Sequence, residues 1–146
     1  MIRKATPNDF ESILDLSAKF WRHTQYSEPF EREHTLLMVQ QAYSHGLLAV
    51  LEIKGEIVGF AAGVKSFLLG STQALTGTEL AWWVNEDHRH GRNGIGLLRF
   101  IEGLARDQGI KYWNMASMES CEPEVANNLY ERMGYCRSEN VYTKVL

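Results

Sequence analysis

Apolar residues near the start recur at helical spacing. Phe10, Ile13, Leu14, Ser17, Phe20 and Trp21 fall on one face and predict an amphipathic helix. Thr6-Pro7-Asn8-Asp9 supplies its start, with Thr6 as N-cap and Pro7 at the first helical position. A short strand over 2–5 precedes it. Residues 25–30 form a polar break containing Pro29, and a second helix is predicted over 31–45, stopped by Gly46. Two apolar, β-rich runs, 47–53 and 56–64, flank Lys54-Gly55 and predict a hairpin. Residues 66–76 are less regular, hold Gly70, and read as a loop or irregular strand ends. Residues 79–84 predict a strand in which adjacent Trp82 and Trp83 face opposite sides.

Helical spacing returns with Leu97, Leu98, Ile101, Leu104 and Ala105, in a helix that ends at Gly109. A strand follows over 110–118, then a helix over 123–133 with Val125, Ala126, Leu129, Tyr130 and Met133 along one side. Residues 135–137 and 141–145 read as a closing hairpin. The predicted order is β-α-α-β-β-β-α-β-α-β-β. A helical crossover between strands 79–84 and 110–118 makes that pair parallel, while the hairpins are antiparallel. The expected fold is α/β (α+β): a mixed, mostly antiparallel sheet with a central parallel splayed pair and helices on both faces.

The length of 146 residues suits a single domain over 1–146 with room for a core, and 45% hydrophobic with 23% charged residues is a globular composition. The net charge of −3 argues against nucleic acid and suits a cationic partner such as an amine. Cys121 and Cys136 sit in no metal-ligand pattern. The N-terminal residues lack the apolar run of a signal peptide, and no stretch approaches the ~20 apolar residues of a membrane span. The expectation is a cytoplasmic protein without membrane partners.

The segment WWVNEDHRHGRNGIGLLRFIE, residues 82–102, carries the chemistry. A strand, a Gly/Arg/Asn-rich turn and a helix in succession aim backbone N–H groups and a helix N-terminus at one point, which suits a phosphate or pyrophosphate. Arg89 and Arg92 add positive charge; an ordinary turn with solvated charges is the plainer alternative. Gly91, Gly94 and Gly96 stand in the wrong order for a dinucleotide fingerprint, and no P-loop Gly-Lys-Ser/Thr occurs. His88 and His90 have no obvious third ligand, so no metal is expected.

This segment, with Ala126-Asn-Asn-Leu-Tyr130-Glu-Arg-Met-Gly134-Tyr135 downstream, resembles the GCN5-related N-acetyltransferase (GNAT) superfamily. Val84 ends the strand, Arg89 falls where the family has Gln or Arg, and Gly94 falls at the second Gly or Ala of the turn. There are two departures: the family's first turn glycine is Arg92, and an Asn often found seven positions before the tyrosine is Pro123. Asn127 and Asn128 lie nearby. The Trp-Trp-Val strand end and Arg-rich turn resemble a divergent subgroup common in bacteriophage genomes. The resemblance covers the whole chain in element order and about the last 65 residues in motif.

The resemblance implies acetyl transfer from acetyl-CoA to a primary amine of a small molecule or protein, by direct attack. The turn Arg89, His90, Gly91, Arg92, Asn93, Gly94 and Ile95 would hold the pyrophosphate. The main chain of Trp82, Trp83 and Val84 would meet the pantetheine arm; core packing is the plainer reading of the two indoles. Tyr130 would protonate the leaving thiolate, its phenol being protonated at neutral pH; a helix-face core aromatic is the alternative. A carboxylate must take the amine's proton. Glu79 is the first candidate, on the face of Ala81 and Trp83 if its strand is regular, with Glu119 next; a cross-strand salt bridge or an exposed strand end is the plainer reading. Neither cysteine has the adjacent base a nucleophile needs. The acceptor would be chosen by residues 23–30, 66–76 and 138–140, with His23, Tyr26, Glu28 and Phe67 as a polar-aromatic set. Glu28 and Glu31 suit a substrate mouth. Dimers are common in the superfamily, so a homodimer is compatible with the resemblance. The competing reading is a catalytically silent relative that binds acyl-CoA or another protein.

Overall fold

A computed structural model describes residues 1–146. It divides into two units, Met1–Ala116 and Ser117–Leu146.

The first unit is built on a five-stranded sheet in the order β1-β2-β3-β4-β5. The strands are β1 Ile2–Lys4, β2 Leu48–Ile53, β3 Glu56–Leu68, β4 Ser71–Val84 and β5 Ile110–Asn114. The helices of this unit are α1 Phe10–Trp21, α2 Arg32–Ser44 and α3 Asn93–Asp107. As the sequence predicts, Thr6 is extended and caps a 3-10 turn over Pro7–Asp9 that leads into α1. Lys54 and Gly55 turn β2 into β3 with φ of 53° and 84°, both in the left-handed region of a type I′ hairpin.

Alternation in the strands divides the core between two helical layers. Leu48, Val50, Phe60, Ala62 and Trp83 pack with Ile13, Leu14, Leu16, Val39 and Ala42 of α1 and α2. On the opposite side, Ala49, Leu51 and Ala61 are buried, as are Leu97, Leu98, Ile101, Leu104 and Ala105 of α3. β1 to β4 are antiparallel, and β4 and β5 are parallel, paired from Leu75↔Ile110 to Thr78↔Asn114. β4 then runs on to Val84 without β5 beside it, so the parallel pair opens after Thr78.

Two expectations are corrected and a third is narrowed. Residues 66–76 are the second of the two expected alternatives, strand ends with a register shift at Phe67/Leu68, and not a loop: β3 and β4 continue as a ribbon, with Phe67 paired to Leu75. Its apolar tip residues Phe67 and Leu69 are exposed, so no burial pattern marks these strands in the sequence. Residues 135–146 form no hairpin. Val141, Tyr142, Val145 and Leu146 have β-forming side chains but remain exposed, without the burial that sustains a strand. Without those strands, β5 is the sheet's edge, and the parallel pair is peripheral rather than central.

The second unit holds α4, Pro123–Arg132. Pro123 opens the helix after Glu122, whose φ of 43° places a non-glycine residue in the left-handed region.

Candidate active site

β4 carries two features along one strand. Near its middle the register slips: Ala62 pairs with Ala81, but Gly63 pairs with Glu79, leaving Leu80 as an extra residue. Leu80 and Ala81 both pack on the α1/α2 side, as the two residues of a β-bulge do. Glu79 is thereby turned to the other face with Gly63, not to the face of Ala81 and Trp83 that a regular strand would give it. It stands just past the last β4–β5 pair, and its Oε2 accepts the Ala116 N–H at 3.4 Å. Desolvation pushes its carboxyl up to about 7 from 4.5, and the Ala116 N–H opposes this.

At the end of β4 the chain passes through a short 3-10 turn, Glu86–His88, into α3. The first-turn N–H groups of α3, at Asn93, Gly94 and Ile95, have no carbonyl partner within the helix. Gly91 takes φ 77°, and no heavy atom lies within 4 Å of where its Cβ would stand. Arg92, in the family's glycine position, has φ −105°, an ordinary value for a residue with a side chain. The left-handed position of this turn is Gly91, and Arg92 stands where a side chain is accommodated without strain. Gly94 faces Trp82, with the indole Cζ2 3.3 Å from an added Cβ. Asn93 Nδ2 ties the turn by donating to the His88 carbonyl at 3.0 Å. This open, N–H-rich helix start fits a pyrophosphate.

Arg89 does not extend from the turn as a free cation. Its Nε donates to the Val84 carbonyl at 2.9 Å, and its guanidinium lies 4.4 Å from the Trp83 ring centre. Trp83 is buried, with Phe20 and His23 at ring distances of 6.0 and 4.9 Å. Core packing is therefore the role shown for the Trp83 indole. His90 and Arg92 are exposed in the turn, and His88 and His90 belong to no group of three or more metal-ligand types.

The acceptor-side candidates are distributed. Tyr26 stacks on Trp21 at 5.7 Å, and the Trp21 Nε1 donates to the Glu28 carbonyl at 2.8 Å. Glu31 caps α2. In the second unit Tyr130 is buried on α4, its ring 5.5 Å from Tyr135. Asn127 accepts from Ser117 at 2.7 Å, Glu119 is exposed, and both cysteines are free thiols.

Sequence reasoning passed over Trp113. Its indole lies against Gly63 and Gly77, where an added Cβ would come within 2.4 and 2.6 Å of it. Two glycines inside strands were the available signal, since such glycines mark a close approach.

The sheet, its opened parallel pair and the helix start at the end of β4 define a mixed α/β protein with a strand–turn–helix whose first N–H groups are free to meet an anion. Residues 10–135 match the model of the acetyltransferase (GNAT) family, and the chain belongs to that family. Solved structures share the fold. Ribosomal-protein-alanine N-acetyltransferase from Brucella melitensis biovar Abortus 2308 is 16% identical with a TM-score of 0.75, covering 100% of this chain and 99% of that one. A transcriptional regulator from Bacillus halodurans C-125 is 18% identical with a TM-score of 0.78, again over 100% and 99%. AAC(6')-Iy in complex with the bisubstrate analog CoA-S-monomethyl-acetylneamine is 15% identical with a TM-score of 0.75, over 100% and 97%. No curated protein matches the sequence.

Proposed function

We propose that this chain is an N-acetyltransferase that moves an acetyl group from acetyl-CoA to a primary amine. Glu79 carries the reading. It is a carboxyl raised to about 7 where β4 leaves β5, on the same strand that delivers the open N-terminus of α3. From Glu79 to Val84 the strand spans about 16 Å, a length suited to an extended pantetheine arm.

The α3 N–H groups of Asn93, Gly94 and Ile95 bind the pyrophosphate, with Arg92 as an added cation. The β4 main chain beside Trp82 and Trp83 orients the arm. When bound, acetyl-CoA supplies an activated thioester for direct attack by the amine. Glu79 takes the proton of the acceptor ammonium. A carboxyl near 7 is a better match to an ammonium of pKa about 10.4 than one at 4.5. Tyr130 is assigned as the acid for the departing thiolate, by its place in the tyrosine segment alone. The acceptor is an amine of a small molecule or a protein; the AAC(6')-Iy structure with its acetylneamine analog gives the small-molecule class its support.

The test is a thermal melt with and without acetyl-CoA, beside a CoA-free nucleotide, followed by thiol release across an amine panel. Acetyl-CoA at a hundredfold over its Kd should add about 2.7 kcal/mol and raise Tm by several degrees. A shift without turnover on any amine would favour a silent acyl-CoA-binding module. No shift would overturn the cofactor reading and turn attention to protein partners.

A further inference from the structure

Trp113 sits beside Gly77 in the parallel register of β4 and β5. Its ring reaches across β4 as far as Gly63 on β3. An added Cβ at Gly63 would stand 2.4 Å from Cη2, and one at Gly77 would stand 2.6 Å from Cε3. Gly77 precedes Glu79 by two residues on the same face, and Gly63 is Glu79's cross-strand partner. Glu79 therefore holds the strand position next to both glycines that the ring covers. Its Nε1 donates to Met115 Sδ at 3.1 Å, which fixes the ring's orientation.

We infer that Trp113 is a positioning residue acting through Glu79: its indole, seated over Gly63 and Gly77, is the apolar wall that withdraws the carboxyl from water and tunes it to accept the proton of the acceptor ammonium. This rests on the reading of Glu79 as the base. The step itself moves one proton, from the ammonium to the carboxylate, leaving a neutral amine and a neutral carboxyl.

Charged neighbours do not account for the state of Glu79. Lys65 of β3 is held 2.7 Å from Gln108 Oε1, and Lys111 of β5 lies over the Tyr112 ring at 5.3 Å. Glu102 and Arg106 of α3 pair with each other at 3.6 Å. Glu79 is half-buried, and desolvation and one N–H, from Ala116, are the influences on its carboxyl. An apolar wall raises a carboxyl because it disfavours the charged form.

The test is a carbon-13 carboxyl NMR titration of Glu79, assigned by its loss in Glu79→Gln, in the wild type and in Trp113→Leu, Trp113→Phe and Gly63→Ala. The last displaces the ring without deleting it. The midpoint should lie near 7 in the wild type, fall toward 4.5 in Gly63→Ala and Trp113→Leu, and be restored in part by Trp113→Phe. The rising limb of the kcat/KM profile should move with it. A midpoint unchanged from the wild type in folded Gly63→Ala or Trp113→Leu overturns the inference. If Trp113→Leu does not fold, Gly63→Ala decides by the same criterion. Activity indifferent to Glu79→Gln is a separate result that overturns the base assignment.

Discussion

Arg89 lies over Trp83. The guanidinium is 4.4 Å from the ring centre, while its Nε holds the Val84 carbonyl at 2.9 Å. The residue that the family motif places in the anion turn here braces the turn against the strand that leads into it. Trp83 in turn packs on Phe20 and His23 at the end of α1, so the turn is anchored to a core aromatic.

The brace needs a planar guanidinium with an Nε donor, which lysine lacks. An exposed cation–π contact contributes about 0.5–1 kcal/mol and a charged hydrogen bond about 1.5–3. Arg89→Ala should raise the Kd for acetyl-CoA about tenfold, measured by calorimetry. Arg89→Lys should behave like Arg89→Ala. A lysine variant with wild-type affinity would show that charge alone matters here.

Arg92 gives a prediction of opposite sense to the family pattern. Its φ of −105° requires no glycine, so restoring glycine relieves no strain. Arg92→Gly should therefore weaken acetyl-CoA binding severalfold and flatten its dependence on ionic strength, because an exposed cation is lost. A tighter complex in Arg92→Gly would instead identify the side chain as an obstruction.

Glu79→Gln should lower kcat/KM by about a hundredfold or more, while the melting shift with acetyl-CoA persists. In the wild type the base must be deprotonated, so kcat/KM should rise with pH through about 7. Stability runs the other way. A carboxyl raised in the folded state contributes stability below its unfolded value, lost as pH rises through its folded value. Glu79→Gln should therefore melt higher than the wild type above pH 7. A variant less stable than the wild type at pH 8 would refute the desolvation account.

The elements that bury a face were legible: α1, α2 and α3 and the Lys54-Gly55 hairpin stand within a few residues of where periodicity and turn chemistry put them. The β3–β4 ribbon was not, because its outer residues, such as Phe67, bury little and alternate with nothing. The bulge at Leu80 has no sequence signature, so Glu79 was chosen as a residue but assigned to the wrong face. The turn and the helix start after β4 were readable from their glycines and arginines, whereas Arg89's contact with Val84 depends on the path of the turn. Tyr130 was chosen from the resemblance. Its burial on α4 also suits the plainer reading of a helix-face aromatic.

Arg3, Asp9 and Glu52 tie β1 to the start of α1 and to β2. Arg3 Nη1 and Nη2 reach the Asp9 carboxylate at 2.7 and 2.9 Å, and Arg3 Nη2 reaches Glu52 at 2.9 Å. Asp9 is buried and also accepts the Thr6 N–H at 2.7 Å and the Thr6 hydroxyl at 3.0 Å. The Arg3 guanidinium, with the Thr6 donors, holds its carboxyl down at about 2, against an ordinary 3.8. Since the folded value is depressed, this contribution is complete above pH 3.8 and is lost as pH falls through 2. Asp9→Asn keeps the shape but removes the charge, leaving Arg3 without its closest partner, and should cost about 2 kcal/mol at neutral pH. Thermal melts from pH 7 to pH 2 check both points. The difference between wild type and Asp9→Asn should be largest at neutral pH and shrink below pH 4. A difference that stays constant to pH 2 would mean the loss comes from packing rather than from the charge.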